Sequence, residues 1–313
     1  MRLGHDHVRV RVPATSANLG PGFDSLGLAL GLRDELEVRA LGSPGVLVEV
    51  KGQGAGEVPD DETHLVVRAL RLALDHVGAS QTGLHLTCVN RIPHGRGLGS
   101  SAAAVVAGIF AARGLIGDPD ALDDAVALRI ATELEGHPDN AAPAILGGAT
   151  IAWTDAGADG PRAIRIAIDP RITPVVLVPS TRLATSTARS VLPATVPHAD
   201  AAFQAGRSAL LIEALTRRPD LLLPATEDRL HQRYRAGVMS ESLALVDALR
   251  AHGVAAVVSG AGPTVLVLAR ATGGGSTDAD EAVRAVFGGV MGGWQVLRTG
   301  VDDGGARVDR IED

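Results

Sequence analysis

Residues 100–115, Ser-Ser-Ala-Ala-Ala-Val-Val-Ala-Gly-Ile-Phe-Ala-Ala-Arg-Gly-Leu, constrain what this chain can fold into more than any other stretch. The run is alanine-rich, carries one charge and is apolar on nearly all sides, so it reads as a helix buried all round rather than along one stripe. Such a helix needs other elements on every face, and the neighbouring sequence offers them. Apolar residues alternate or cluster at 8–12, 35–41, 46–50 and 84–89, which read as short strands. Residues 63–76 have helical spacing, with Leu65, Ala69, Leu72 and His76 along one face and Thr63 expected as the N-cap. Residues 120–135 form an amphipathic helix that Gly136, His137 and Pro138 stop.

Beyond Gly147-Gly148 the pattern changes. Strand-like runs at 163–168 and 174–178 precede helical stretches near 199–216 and 240–252. Strands at 255–258 and 265–269, a helix at 280–287 and a strand at 295–297 follow. This is an α+β arrangement with non-local sheet pairing. A boundary around Asp155-Ala156-Gly157-Ala158-Asp159-Gly160-Pro161 divides the chain into 1–160 and 161–313. Residues 273–276 are expected as a mobile loop, and the acidic stretch 302–313 as loosely held.

Composition narrows the chemistry. Of 29 basic residues only Lys51 is lysine, and Val50-Lys51-Gly52-Gln53 is not a Walker-type phosphate loop. A pyridoxal enzyme or a protein kinase needs a special lysine too, for which one candidate exists. A net charge of −7 and seven aromatic residues argue against nucleic-acid binding. The single cysteine, Cys88, lies in an alternating apolar run and is assigned to the core. With no apolar leader-like segment and no run of 18 apolar residues, a cytoplasmic protein without membrane association is expected.

The densest chemical signal precedes the buried helix: Arg91-Ile92-Pro93-His94-Gly95-Arg96-Gly97-Leu98-Gly99-Ser100-Ser101-Ala102-Ala103-Ala104. A strand feeds a glycine turn that opens into a helix, so backbone amides and the positive helix end can converge on an anion, with Ser100 and Ser101 adding hydroxyls. A plain structural turn capped by Ser100 is the bland alternative. A dinucleotide fingerprint also matches formally, but Asp118, where a ribose-binding acid is due, lies in the turn Gly117-Asp118-Pro119. Phosphate binding ranks above a nicotinamide-linked dehydrogenase.

Pro93-x-x-x-Gly97-Leu98-Gly99-Ser100-Ser101-Ala102-Ala103 resembles the ATP loop of the GHMP kinases, the superfamily of galactokinase, homoserine kinase and mevalonate kinase. Pro13-Ala14-Thr15-Ser16-Ala17-Asn18-Leu19-Gly20-Pro21-Gly22-Phe23-Asp24 resembles the first family motif in its homoserine-kinase form, and Ser259-Gly260-Ala261-Gly262-Pro263-Thr264 the third. The resemblance implies a two-domain GHMP kinase fold, with an N-terminal ribosomal-protein-S5-like α/β domain and a C-terminal ferredoxin-like α+β domain. It implies ATP on Pro93, His94, Gly95, Arg96, Gly97, Leu98, Gly99, Ser100, Ser101, Ala102 and Ala103, with His64 near the adenine, where the family pattern has asparagine. Mg²⁺ would sit on Ser101 and Glu133, with Glu135 in reserve.

Substrate residues are read on chemistry and on resemblance. Asp24 suits an ammonium and Asn18 a hydroxyl or amine, although each could be an Asx-turn. Acids at the helix end Glu133-Leu134-Glu135 are disfavoured by the dipole, which a metal would explain. Arg189 and Arg235 could fork a carboxylate, although any one of 28 arginines is more often a surface charge. The resemblance to the homoserine kinase branch implies L-homoserine as the substrate. It sets Asn18, Asp24, Asn140, Thr185, Arg189 and Arg235 around it, and Asn18, Asn140, Ser101 and Glu133 at the chemistry. Asn140 stands where many relatives have aspartate, so direct transfer without a dedicated base is expected. A mevalonate- or sugar-type relative and a non-catalytic amino-acid sensor are the rivals. Arg233 replaces a common proline and is left out of the site, and a homodimer is left open.

Overall fold

The computed structural model describes residues 1–155, 160–289 and 292–312. The first sheet contains β1 (His7–Ala17), β2 (Leu26–Leu41), β3 (Val46–Gly52), β4 (Gly83–Asn90), β5 (Ala149–Thr154) and β6 (Pro161–Ile166). The second contains β7 (Ile172–Pro179), β8 (Ala256–Val258), β9 (Val265–Gly273), β10 (Ser276–Thr277) and β11 (Trp294–Arg298), and β12 (Arg307–Arg310) returns to the first. Along the chain the helices are α1 (Leu65–His76), α2 (Ser100–Leu115), α3 (Asp124–Glu135), α4 (Ala141–Leu146), α5 (Thr185–Ser190), α6 (His198–Thr216), α7 (Leu222–Ala225), α8 (Ser240–Ala251) and α9 (Ala279–Phe287).

The first sheet has the order β12-β1-β2-β4-β3, with β5 on the near end of β2 and β6 outside β5. All of its pairings are antiparallel except β3 with β4. Helix α2 lies across it, enclosed by α1, α3, α4 and by β1 and β12. Twelve of its sixteen residues are buried, as an all-round apolar helix demands. Helix α1 buries Val66, Val67, Ala69, Leu70, Ala73 and Leu74 against it, the face that a 3.6-residue repeat generates.

The second sheet runs β10-β9-β7-β11, with β8 beside β9. Its central strands read as unbroken apolar runs because both faces are covered. Val176, Val178, Leu266 and Leu268 join the core that continues into the first sheet and includes Leu211 and Leu215 of α6. Val175, Leu177, Val265 and Val267 point the other way, onto Leu245 and Leu249 of α8 and Ala279 and Val283 of α9.

Three expectations need correction. Thr63 does not cap α1, because its amide and hydroxyl are taken by Asp61 at 2.8 and 2.6 Å; His64 caps instead, its Nδ1 accepting from Val66 N at 3.3 Å. The 160/161 division falls in the β5–β6 hairpin, so the first sheet draws strands from both sides of it; residues 156–159 of the expected linker lie outside the described residues. The stretch from 302 is not loose. Asp302 is buried, pairs with Arg33 at 2.5 and 2.7 Å and accepts from the Gly304 and Gly305 amides at 3.0 Å, delivering 307–310 to the edge of β1. Among the described residues no helix is long and apolar enough to cross a membrane.

Candidate active site

The loop between β4 and α2 meets the second sheet's turns. Leu183 N donates to the Gly95 carbonyl at 2.9 Å, Thr264 N to Arg96 O at 3.3 Å and Ser259 Oγ to Gly97 O at 2.6 Å. Gly97 and Gly99 have φ of +75° and +66°. A Cβ on Gly97 would overlap the Ser259 carbonyl, and one on Gly99 the Thr15 hydroxyl, so only glycine fits either place. Gly99, rather than Ser100, caps α2, and it does so without a side-chain hydrogen bond. The first-turn amides and the positive helix end are thereby left for an anion.

Two cavities meet at Ser100 and Ser101. One, of about 300 Å³, is mostly apolar: Leu36, Val58, Pro59, Leu65, Val66, Ala103 and Ala107, with Asp34, His64, Cys88, Asn90 and His94. Burial pushes Asp34 up to about 6, although its carboxylate accepts from Arg91 N and Ile92 N at 2.6 and 2.8 Å. Burial lowers His64 and His94, so neutral imidazoles border this space, and it raises the Cys88 thiol to about 12, which leaves it an inert core group. Its mostly apolar lining with a few polar groups suits a heteroaromatic base.

The second cavity, also about 300 Å³, is polar and lined by Asn18, Gly95, Arg96, Gly97, Gly99, Glu135, His137, Asp139, Asn140, Thr185, Arg189 and Arg235, among others. Asn18 has φ +72°; its amide donates to Gly260 O at 3.0 Å while its oxygen accepts from Asp24 N at 2.9 Å. Asn18 thus forms no Asx-turn, which would close on residue 20; its oxygen closes the longer turn at Asp24 while its NH₂ ties the first motif to the third. Asp24 pairs with Arg189 through both oxygens at 2.6 and 3.1 Å, which holds that guanidinium more firmly charged. Arg235, 1% exposed, lies 5.9 Å from the centre of the Phe23 ring, and Arg189 lies 5.6 Å from it. Thr15 Oγ1 donates to Asn140 Oδ1 at 2.8 Å, fixing which way the amide faces.

The carboxylate beside Ser101 is Glu135, which accepts from Ser101 Oγ at 2.5 Å. Burial raises the Glu135 carboxyl. Glu133 is exposed and lines neither cavity, because two residues along a helix turn a side chain to the opposite side. Of the two acids considered for the metal, Glu135 thus faces Ser101 and Glu133 does not. Pro93, Leu98 and Ala102 also line neither cavity; they are buried and shape the loop from behind. Arg233 pairs with Asp247 and stays out of the site. His137 and Asp139, between α3 and α4 and not among the expected site residues, bond at 2.6 Å, which raises the imidazole.

A glycine cradle at a helix N-terminus, an apolar slot beside it and a polar pocket with acid and arginines in front define a small-molecule phosphotransferase. The GHMP kinase N-terminal domain model matches residues 64–148 and the C-terminal model residues 201–288. The chain is 57% identical over 302 residues to a homoserine kinase of Streptomyces coelicolor, covering 96% of this chain and 94% of that one. It is 52% identical over 306 residues to a homoserine kinase of Clavibacter michiganensis, covering 98% and 95%. A crystal structure of homoserine kinase from Cytophaga hutchinsonii superposes with a TM-score of 0.84 at 26% identity, covering 98% of each chain. The chain belongs to the homoserine kinase family of the GHMP kinases.

Proposed function

We propose that this protein transfers the γ-phosphoryl group of ATP to the side-chain hydroxyl of L-homoserine, giving O-phospho-L-homoserine and ADP. The observation that carries the substrate is the Asp24–Arg189 pair with Arg235 beside it: two arginines line the polar cavity and one of them holds an acid, a set that matches the carboxylate and ammonium of an amino acid. The family membership supports the same reading.

In this reading the base occupies the apolar cavity, and the phosphates lie on the amides of 97–101 and the N-terminus of α2. Ser101 and Glu135 would hold Mg²⁺, which when bound neutralises charge on the transferring phosphate. A hydroxyl and one carboxylate suit an ion that takes its remaining ligands from phosphate and water. Among the described residues there is no cluster of three or more His, Cys, Asp or Glu built to hold a metal alone.

Asn140, with its oxygen occupied by Thr15, presents its NH₂ to the substrate hydroxyl, and Asn18 steadies the turn that carries Asp24. An amide takes no proton, so the site works by alignment and charge, which a loose phosphoryl-transfer transition state rewards. The hydroxyl oxygen bonds to phosphorus as the bond to ADP breaks, and its proton leaves on a phosphate oxygen. The test is ADP release on adding L-homoserine, with phosphorus NMR of the product. Faster turnover with mevalonate, galactose or L-serine would overturn the substrate assignment.

A further inference from the structure

His231 is fully buried and has a hydrogen-bond partner at each ring nitrogen. Nε2 lies 2.7 Å from the Gly20 carbonyl, and Nδ1 lies 3.1 Å from Arg235 Nη1. A guanidinium only donates, so Nδ1 must accept; the proton is then on Nε2 and is donated to Gly20. The two bonds fix one tautomer. A second proton, on Nδ1, would face the Nη1 donor in a dry setting.

The rest of the setting is equally determined. The ring stacks on Phe23 at 5.0 Å between centroids, and Asp228 Oδ1 lies 3.6 Å from Nε2. Asp228 in turn is held by the Leu230, His231 and Gln232 amides at 3.0, 3.2 and 2.8 Å and by Gln204 at 2.8 Å. Arg235 spends Nε on Ala188 O at 3.1 Å and Nη1 on His231 and on Gly260 O at 3.2 Å. Its Nη2 makes no hydrogen bond among the described residues and is left for a ligand. Gly20 belongs to the same turn as Asn18 and Asp24, so one imidazole connects the acid-bearing turn to the buried arginine.

We infer that His231, as the Nε2–H tautomer, is the positioning residue that aims Arg235 at the substrate carboxylate and sets its distance from the Asn18–Asp24 turn. This rests on the reading of Arg235 as a carboxylate anchor. His231 touches neither substrate; it acts through Arg235.

The test uses the full-length enzyme and four variants, His231→Leu, His231→Asn, His231→Gln and Arg235→Leu, together with the His231→Leu/Arg235→Leu double variant. His231→Leu should raise the L-homoserine KM roughly 10- to 100-fold, the scale of one hydrogen bond to a charged group. The ATP KM should move less than about 2-fold and kcat less than the homoserine KM. His231→Asn, which keeps an acceptor near Nδ1, should recover more of the homoserine affinity than His231→Gln, which keeps the donor toward Gly20. In the double variant the two losses should not add, because both remove one interaction. Equal rises in both KM values, no advantage of Asn over Gln, or full additivity would each overturn the inference. If His231→Leu fails to fold, the comparison of Asn with Gln decides. A normal homoserine KM in Arg235→Leu would instead overturn the reading of the anchor itself.

Discussion

Asp24 and Arg189 grip each other through two contacts, 2.6 and 3.1 Å, although Asp24 lies in the turn between β1 and β2 and Arg189 in α5, 165 residues further on. Before substrate arrives, the two groups satisfy one another. A zwitterion entering between them would offer an ammonium to Asp24 and a carboxylate to Arg189, replacing one ion pair by two. Asp24→Asn should therefore raise the L-homoserine KM about 10-fold or more, with the ATP KM unchanged. Steady-state kinetics in both substrates measure this, and equal changes would remove Asp24 from the substrate.

Glu135 and Glu133 separate cleanly. Glu135→Gln should lower turnover and apparent Mg²⁺ affinity by roughly 10- to 100-fold, the scale found when groups around a metal are altered. Glu133→Gln should leave both within about 2-fold. Burial raises the Glu135 carboxyl, so a proton competes with the cation at higher pH than at an ordinary carboxylate. The Mg²⁺ needed for half-maximal rate should climb as pH falls through that raised value and be flat above it. A Mg²⁺ titration at several pH values reads this directly.

Asp34 gives a stability prediction with a definite sign. Its folded value of about 6 lies above the ordinary 3.8, so between these the native state holds more protons than the unfolded chain, and this group's contribution falls as pH rises. Asparagine keeps an oxygen for the Arg91 and Ile92 amides and carries no charge. Asp34→Asn should raise Tm at pH 8, and the gap should close by about pH 4. Differential scanning calorimetry at the two pH values checks it.

Gly97→Ala places a methyl against the Ser259 carbonyl in a left-handed conformation, which costs about 1–2 kcal/mol before any clash. Tm should drop by a few degrees and the ATP KM should rise more than the homoserine KM. Lys51, exposed on β3 away from both cavities, should be replaceable by alanine with ATP kinetics unchanged within about 2-fold.

Much of this architecture is legible from local pattern. α2 starts and ends where the alanine-rich run does, because its burial is written into its own composition. The glycine loop, Asn18, Asn140, Thr185, Arg189 and Arg235 reach one cavity as the motif order implies. What local pattern does not carry is register and distant pairing. Choosing Glu135 over Glu133 needs the angular phase of α3 relative to Ser101, which depends on how α3 packs on α2. Thr63 looks like a cap until Asp61 competes for it. Strand β5 is six residues of modest apolarity, and β12, Arg-Val-Asp-Arg, reads as a solvated tail because its partner lies at the opposite end of the sequence. His231 has no motif of its own; its place one helical turn before Arg235 is the one local signal.

The pairing of β12 with β1 has a consequence for how the protein is made. Arg11 and Asp309, which form an ion pair across that ladder, are 298 residues apart. In a nascent chain one edge of the first sheet therefore stays uncovered until residues 307–310 have followed β1 out of the ribosome. The early-made half must wait, with unpaired amides and carbonyls that other chains can find. Closing contacts at so great a sequence separation also come late on entropic grounds. The contacts that hold the glycine cradle, to Leu183, Ser259 and Thr264, all precede β12 in the chain, so the cradle can close before that edge of the sheet is sealed.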